Sequence, residues 1–165
     1  MMFIVMMPFV ASCGSDSDDE EGGNINSPVV GEWVGVDKGV RGVLNLKSDG
    51  TFVDIVFATI GVTYNNRTGE KIYTEYYGKF SINGNQIIKE YDRRERIVSK
   101  SGETITVEPS VLTWDTTTDV LRSGNGEYHS YFYRMNQEYR DKVNQKMNGR
   151  KVSNEEFEMY TAYDY

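Results

Sequence analysis

The sequence predicts a mainly β fold in which eight antiparallel strands form an up-and-down β-barrel, followed by one or two short C-terminal helices. Turn signals built on glycine and asparagine recur at short intervals from residue 37 to residue 126. The segments between these turns are rich in Val, Ile, Thr, Tyr and Phe, which favour strands. Beyond Met135 the apolar residues recur every four positions, which is typical of an amphipathic helix.

Successive strands without an intervening helix predict antiparallel hairpins. The predicted strands cover residues 31–37, 42–47, 51–62, 71–82, 86–98, 104–115, 119–123 and 127–135. Such strands either close into a barrel, which removes exposed sheet edges, or divide into two packed sheets. We expect the barrel, with a bulge or an edge at Pro109, because proline has no backbone donor for a strand ladder.

The alternation of side chains predicts which strand faces are buried. The fourth strand alternates regularly, so one of its faces is predicted to be core and the other solvated. The third strand is apolar on both faces, which predicts a cover outside the barrel as well as a core inside it. In the fifth strand, residues 91–96 interleave charges of both signs. We interpret this run as a solvated edge whose charges prevent strand-to-strand aggregation, rather than as a groove for an anionic ligand.

Two helices are predicted after the last strand. Tyr139, Val143 and Met147 are spaced by four among polar residues, and Asn148-Gly149 ends this first helix. The run from Ser153 to Glu156 has capping-box spacing and starts a second helix that extends to about Tyr160. We expect both helices to pack on the barrel wall rather than to dock on a partner.

The first residues are expected to form an export signal. Residues 1–11 carry no charge, are too short to span a bilayer and end in small residues, as a secretory apolar region does. No Lys or Arg precedes the apolar run, which departs from the usual signal. A buried core segment is the alternative, but the polar, acidic stretch that follows would then have to enter the core as well.

The motif Val10-Ala11-Ser12-Cys13 resembles the lipobox of bacterial lipoproteins. The resemblance implies cleavage before Cys13 and lipidation of its thiol, which would anchor the protein to a membrane. Residues 14–28 are acidic and rich in Gly, Ser and Asn, so they are predicted to be a flexible tether. An acidic stretch after the cysteine also resembles the export signal of lipoproteins on the outer face of some Gram-negative outer membranes, which makes the bacterial outer membrane the expected location.

The sequence therefore divides into four predicted parts. They are a signal peptide (residues 1–12), a lipidated cysteine with its acidic tether (13–28), a β-barrel (29–135) and a helical extension (136–165).

Composition excludes several classes of function. The net charge of −7 is concentrated in the tether: 25 acidic residues less the five at positions 16 and 18–21 leave 20 against 18 basic residues, or −2. A nearly neutral body lacks the basic face that a nucleic-acid partner requires. One cysteine and one histidine exclude a disulfide framework and a multi-histidine or cysteine-rich metal site. We expect neither a metal nor another cofactor.

Three stretches of the barrel resemble the lipocalins. Gly31-Glu32-Trp33 matches the Gly-x-Trp of the first lipocalin strand. Ser48-Asp49-Gly50-Thr51-Phe52 and the later run from Gly78 to Asn85 look like the lipocalin-like domains of small bacterial lipoproteins. The resemblance covers residues 31–135 and implies that Trp33 lies across the closed end of the barrel, with Arg134 stacked over its ring.

Catalytic motifs are missing from the sequence. It contains no Gly-x-Ser-x-Gly, phosphate loop or His-Glu-x-x-His, and the single histidine, His129, lies in an aromatic strand. We therefore expect no enzyme, although a glycosidase built on two carboxylates stays open as an alternative, because its acids need proximity only in space.

Two non-catalytic functions are predicted instead. The barrel would hold a small apolar or amphipathic ligand, such as a lipid or glycan, with Tyr76, Tyr128, Tyr131 and Tyr133 as candidate lining residues. Alternatively, it would be an interaction module for an envelope protein, with a filled barrel and no cavity. The interior separates the two hypotheses, because large side chains such as Phe52, Phe80 and Phe132 would fill the lumen of an interaction module.

Overall fold

Eight antiparallel strands close into a β-barrel, as the sequence predicts. The computed structural model describes residues 25–61, 69–124 and 130–162, so the predicted export signal, Cys13, Tyr128 and His129 lie outside the described residues. The strands are β1 (Gly31–Val36), β2 (Val40–Leu46), β3 (Thr51–Ile60), β4 (Glu70–Asn83), β5 (Gln86–Tyr91), β6 (Glu95–Ile97), β7 (Thr104–Thr106), β8 (Ser110–Asp115), β9 (Val120–Ser123) and β10 (Ser130–Arg134). They are followed by helix α1 (Gln137–Met147), the short strand β11 (Arg150–Lys151) and helix α2 (Asn154–Thr161).

Strand pairing follows chain order around the barrel. Each barrel strand pairs with its neighbour in sequence, β5 pairs with β8, and β1 pairs with β10 to close the ring. The hairpin formed by β6 and β7 is the exception, because these strands pair only with each other within the described residues.

The predicted fifth and sixth strands, residues 86–98 and 104–115, were therefore too long. The barrel strand β5 ends at Tyr91, and the chain turns out of the sheet before β6 begins at Glu95. On the return, Pro109 separates β7 from β8, which agrees with its lack of a backbone donor. The charged run ends the barrel ladder after β5, and Pro109 immediately precedes its resumption at β8. The β6–β7 hairpin lies between these two breaks.

An apolar core fills the half of the lumen around Trp33. Its buried members come from most strands of the barrel and from the segment before β1: Val29, Trp33, Leu44, Leu46, Phe52, Phe80, Ile87, Leu112 and Leu121. Burying one such side chain stabilises the fold by roughly 1.5–3 kcal/mol. Phe132 packs against this cluster but is only partly buried. We call this half the closed half.

Close approach of neighbouring strands requires glycine at Gly78. A Cβ atom there would overlap the carbonyl oxygen of Glu90 and lie 2.8 Å from the Phe52 ring. The glycine thus lets β4 and β5 pair closely while Phe52 fills the lumen beside them.

Helix α1 covers the outer wall, which explains the two-sided pattern of β3. Val143 of α1 packs with Val34, Val43 and Phe57 on the outside of the barrel. The helix starts at Asn136, whose side chain accepts a hydrogen bond from the Tyr139 amide, and ends at Asn148. The predicted outer cover and the first predicted helix are both confirmed.

Helix α2 lies over the other end of the lumen instead of on the wall. The Ser153 side chain caps it by accepting from the Glu156 amide, as the capping-box spacing predicts. Phe157 packs against Ile72 and Val152, next to lumen-facing residues of β3. The expectation that both helices lie on the wall is wrong for α2, because the parallel pairing of β11 with β4 directs the chain across the opening.

Trp33 and Arg134 join several segments at the closed end. Trp33 is fully buried, and its Nε1 donates to the carbonyl of Val29 at 2.9 Å. The Cζ atom of Arg134 lies 3.7 Å from the centroid of the Trp33 ring. The Arg134 guanidinium also donates to the carbonyl of Pro28, and to Asp119 Oδ2 at 2.8 Å. One arginine therefore links the first and last strands to the chain that enters the barrel.

We expect Arg134→Met to lower the free energy of unfolding by about 2 kcal/mol, because it removes a cation–π contact and several hydrogen bonds to charged or carbonyl groups. Urea unfolding followed by circular dichroism measures the change. Arg41→Met is the matched control, since it removes an exposed Arg41–Asp37 ion pair whose loss is expected to change stability by less than about 1 kcal/mol. Equal effects of the two substitutions would contradict a special role for Arg134.

Candidate ligand-binding site

A pocket of about 330 Å³ opens in the half of the lumen away from Trp33. Its wall is formed by lumen-facing side chains of β3, β4 and β5, among them Asp54, Val56, Tyr76 and Tyr91. The β6–β7 hairpin, the segment that leads into β8 and helix α2 complete it from above. We call this the open-half pocket.

A buried polar cluster forms the floor of the pocket. Lys89 is 2% exposed, and its Nζ lies 2.8 Å from Asp54 Oδ2 and 3.0 Å from the Tyr91 hydroxyl. The Tyr91 hydroxyl donates to the same Asp54 oxygen at 3.0 Å. On the other side, Lys89 Nζ lies 5.2 Å from the centroid of the Phe52 ring, at the border of the apolar core. The cluster thus separates the filled half of the lumen from the pocket.

The floor residues are held in their ordinary protonation states. Burial alone would lower the pKa of Lys89, but the Asp54 carboxylate and the Tyr91 phenol outweigh it and raise that pKa overall. Burial, and after it the Asp54 charge, raises the pKa of Tyr91. Lys89 is therefore charged and Tyr91 neutral at physiological pH, so neither is prepared to act as a nucleophile or a general base.

The buried carboxylate of Glu158, on α2, forms the roof of the pocket. Glu158 is 2% exposed, and its Oε1 accepts from the Tyr76 hydroxyl at 3.0 Å. Its Oε2 accepts from the Arg93 guanidinium at 2.9 Å and from the Ile97 amide at 3.0 Å. Burial, followed by the nearby Glu158 charge, raises the pKa of Tyr76, so this phenol stays a donor.

Charges of both signs lie along the rim of the pocket. The side chains of Glu95, Arg96 and Glu108 line it, and none of them has an ion pair or a hydrogen bond among the described residues. Apolar side chains, including Val56, Val107 and Phe157, form the rest of the wall. A molecule with an apolar body and a polar end matches this lining.

Of the four tyrosines predicted to line a ligand site, only Tyr76 lies in this pocket. Tyr131 and Tyr133 lie on the outer face of β10 and are 39% and 37% exposed. Successive residues of a strand face opposite sides, so Phe132 and Arg134 face inward while the two tyrosines face outward. Tyr128 falls outside the described residues.

The interpretation of residues 91–96 as a purely solvated edge is wrong for two of its members. Tyr91 belongs to the floor cluster, and Arg93 binds the buried Glu158 carboxylate. Arg94, Glu95 and Arg96 are exposed, as expected for an edge. The run changes role at Arg93 because the chain leaves the barrel sheet there and turns over the opening.

Sequence reasoning missed the floor cluster, although a signal for part of it was present. Ile87, Lys89 and Tyr91 alternate along one strand, which places Lys89 on the same face as two core residues. Asp54 likewise shares a face with Phe52 and Val56. Lys89 and Asp54 each share a strand face with core residues, and only β4 separates their two strands. This placement indicates that the two charges pair inside the barrel.

No family model, curated protein or solved structure matches the chain. Neither α1 nor α2, the helices of the described part, is long and apolar enough to cross a membrane. The described residues also contain no cluster of three or more His, Cys, Asp and Glu side chains that would hold a metal ion. The side chains that line the pocket are therefore the basis for proposing a ligand.

We expect Lys89→Met to lower the free energy of unfolding by about 3–5 kcal/mol, because it leaves the Asp54 carboxylate buried without a cation. The double substitution Lys89→Met with Asp54→Leu is expected to recover most of that loss, since it removes both charges. Urea unfolding of the single and double variants measures the coupling. Lys142→Met, which breaks an exposed pair with Glu138, serves as the control and is expected to cost less than about 1 kcal/mol. A double variant no more stable than Lys89→Met would contradict the pairing.

Stability is expected to fall in alkaline solution. The pKa values of Lys89 and Tyr91 are raised on folding, so the folded state holds both protons more tightly than the unfolded state. Their contribution is complete below the unfolded pKa values, about 10, and is lost as pH rises through the higher folded values. Urea unfolding at intervals above pH 9 should give a declining free energy of unfolding. Tyr91→Phe removes one of the titrating groups and should decline less steeply; an equal or steeper decline would contradict the assignment.

Proposed function

We propose that this protein is a lipid-anchored lipoprotein of the bacterial cell envelope whose lipocalin-like barrel binds one small amphipathic ligand without catalysing a reaction. The observation that carries the proposal is the open-half pocket. Its volume of about 330 Å³ falls in the usual range for small-molecule sites, roughly 300–1,000 Å³. It lies within the barrel, where the ligand would be shielded from solvent on most sides.

The division of the lumen limits the size of the ligand. Phe52 and Phe80 are buried in the closed half, and Phe132 packs against the same core. A ligand that enters the open half therefore meets the Lys89 cluster and goes no deeper. A single-chain amphiphile of short to medium length fits this space better than a long lipid chain does.

The state of the ionisable groups supports binding rather than catalysis. Asp54 and Glu158, the carboxylates that line the pocket, accept from two and three donors respectively. A general base must accept a proton from its substrate, and these carboxylates already accept hydrogen bonds from groups of the protein itself.

The path of the N-terminal segment supports an anchor on the side away from the pocket. Val29 is buried in the closed half, and the backbone of Ile25 hydrogen-bonds to the carbonyl of Ser48 beside it. Cys13 precedes Ile25 by 12 residues, which span at most about 40 Å when extended. A lipid on Cys13 would thus attach the membrane to the closed end of the barrel, through a tether of at most about 40 Å, and leave the pocket at the opposite end unobstructed.

A second function, docking to another envelope protein, is favoured by the outer face of β8 and β10. Val111, Tyr131 and Tyr133 are large and exposed there. Aromatic side chains on an exposed sheet face are typical of protein interfaces. This function does not require the pocket, so a variant that fills the pocket separates the two proposals.

Mass spectrometry of protein extracted from bacterial envelopes tests the proposal. We expect a covalent lipid mass that survives denaturation and a second, non-covalent mass that appears only under native conditions. Val56→Trp would fill the open-half pocket and should abolish the non-covalent mass, whereas Val111→Trp on the outer face should retain it. A native spectrum without any bound ligand would contradict ligand binding, and an unmodified N-terminus would contradict the anchor.

A further inference from the structure

We propose that Tyr76, Arg93 and the Ile97 amide form a binding site for the carboxylate of an external ligand, an amphiphile of the fatty-acid type. In the structure, Glu158 of α2 occupies this site in place of the ligand. The inference rests on the proposed function, because the ligand would enter the same pocket. It adds the chemical class of the ligand and the segment that the ligand must displace.

The three donors belong to the barrel and the hairpin, not to α2. Tyr76 lies on β4, Arg93 follows β5, and the Ile97 amide is at the end of β6. Their distances to the two oxygens of Glu158 lie between 2.9 and 3.0 Å, the geometry of a fully satisfied carboxylate. If α2 moved away, the same partly buried donors would be left facing the pocket without the Glu158 acceptor, so another carboxylate could take its place.

The residues that α2 places in the opening resemble the two ends of an anionic amphiphile. Glu158 supplies the carboxylate, and the preceding residue, Phe157, supplies an apolar group that is 4% exposed. Phe157 packs on Ile72 and Val152, beside the partly buried Val56 of the pocket wall. An apolar chain attached to a carboxylate would satisfy both surfaces at once.

Helix α2 is held by side-chain bonds, including an ion pair of 3.4 Å between Arg93 and Glu155, and not by the strand ladder that closes the barrel. It can therefore leave without opening the barrel. It has 8 residues, fewer than the roughly 12–15 that an isolated helix needs in water. Thr74 binds the Val152 carbonyl and the Asn154 side chain, and β11 adds a two-residue pairing to β4. On its outer side Met159 and Tyr160 are 56% and 48% exposed. The eight barrel strands pair with one another, and none of these pairings involves α2.

The charges around the site favour a monoanion. Among the described residues Arg93 is the cation paired with the Glu158 carboxylate, and the rim adds one cation, Arg96, against two acids, Glu95 and Glu108. The two rim acids would repel a phosphate with two charges more strongly than a carboxylate with one. A carboxylate brings one charge and the planar pair of acceptors that the donors already bind.

Titration with dodecanoate and dodecanol, followed by calorimetry on the whole protein, tests the inference. Glu158→Ala removes the internal competitor and should bind dodecanoate roughly 10- to 100-fold more tightly than wild type does, the range expected for a hydrogen-bonded charged group. Its affinity for dodecanol should rise much less, because dodecanol lacks the carboxylate that the three donors bind. Glu156→Ala is the control, since Glu156 lies on the same helix and pairs with Arg150 instead.

Equal dodecanoate affinity in Glu158→Ala and wild type would overturn the inference, and it would leave the proposed function standing if both ligands bind. If no variant binds either ligand, both fall together. Should Glu158→Ala fail to fold, hydrogen–deuterium exchange of wild type decides. Saturating dodecanoate should speed exchange of the amides in residues 154–161, and unchanged or slower exchange there would overturn the inference.

Discussion

A charged lysine inside an apolar barrel determines where the interior is filled and where it is open. Lys89 cannot be buried without a counter-charge, so Asp54 of β3, two strands away, and Tyr91 of its own strand must lie beside it. Below this cluster the apolar side chains pack around Trp33, whose Nε1 donates to the Val29 carbonyl. Above the cluster lies the pocket, which Asp54 and Tyr91 line from the floor and Glu158 of α2 lines from the roof.

The roof of that pocket arises from two departures of the chain from the barrel. After Tyr91 the chain leaves the sheet to form the β6–β7 hairpin, and after α1 it crosses the opening as α2. Arg93 from the first departure meets Glu158 from the second, so residues 65 positions apart in the sequence close the top of the pocket. The barrel strands supply the floor, whereas α2 is held by side-chain bonds and by the two-residue pairing of β11 with β4. This arrangement places the adaptable part of the molecule at the end opposite the entry of the N-terminal segment.

Local patterns in the sequence were sufficient to predict the barrel and the helices. Hairpin turns and alternation are properties of neighbouring residues, and Asn136 and Ser153 mark the helix starts by their own side chains. The break after Tyr91 was missed because Ile97 and Thr104–Thr106 favour strands, although they pair outside the barrel. The outward direction of Tyr131 and Tyr133 was missed because both faces of β10 are aromatic. The pocket was missed because Asp54, Tyr76 and Glu158 meet only in the folded chain.

Methyl NMR of protein labelled at valine and leucine tests the divided lumen most directly. On addition of dodecanoate, the account predicts chemical-shift changes at Val56 and Val107, which line the pocket, and none at Leu44, Leu112 and Leu121 below the lysine cluster. Comparable shifts at those three leucines would mean that the ligand passes the Lys89 layer. That result would contradict the account of a barrel with one packed half and one open half.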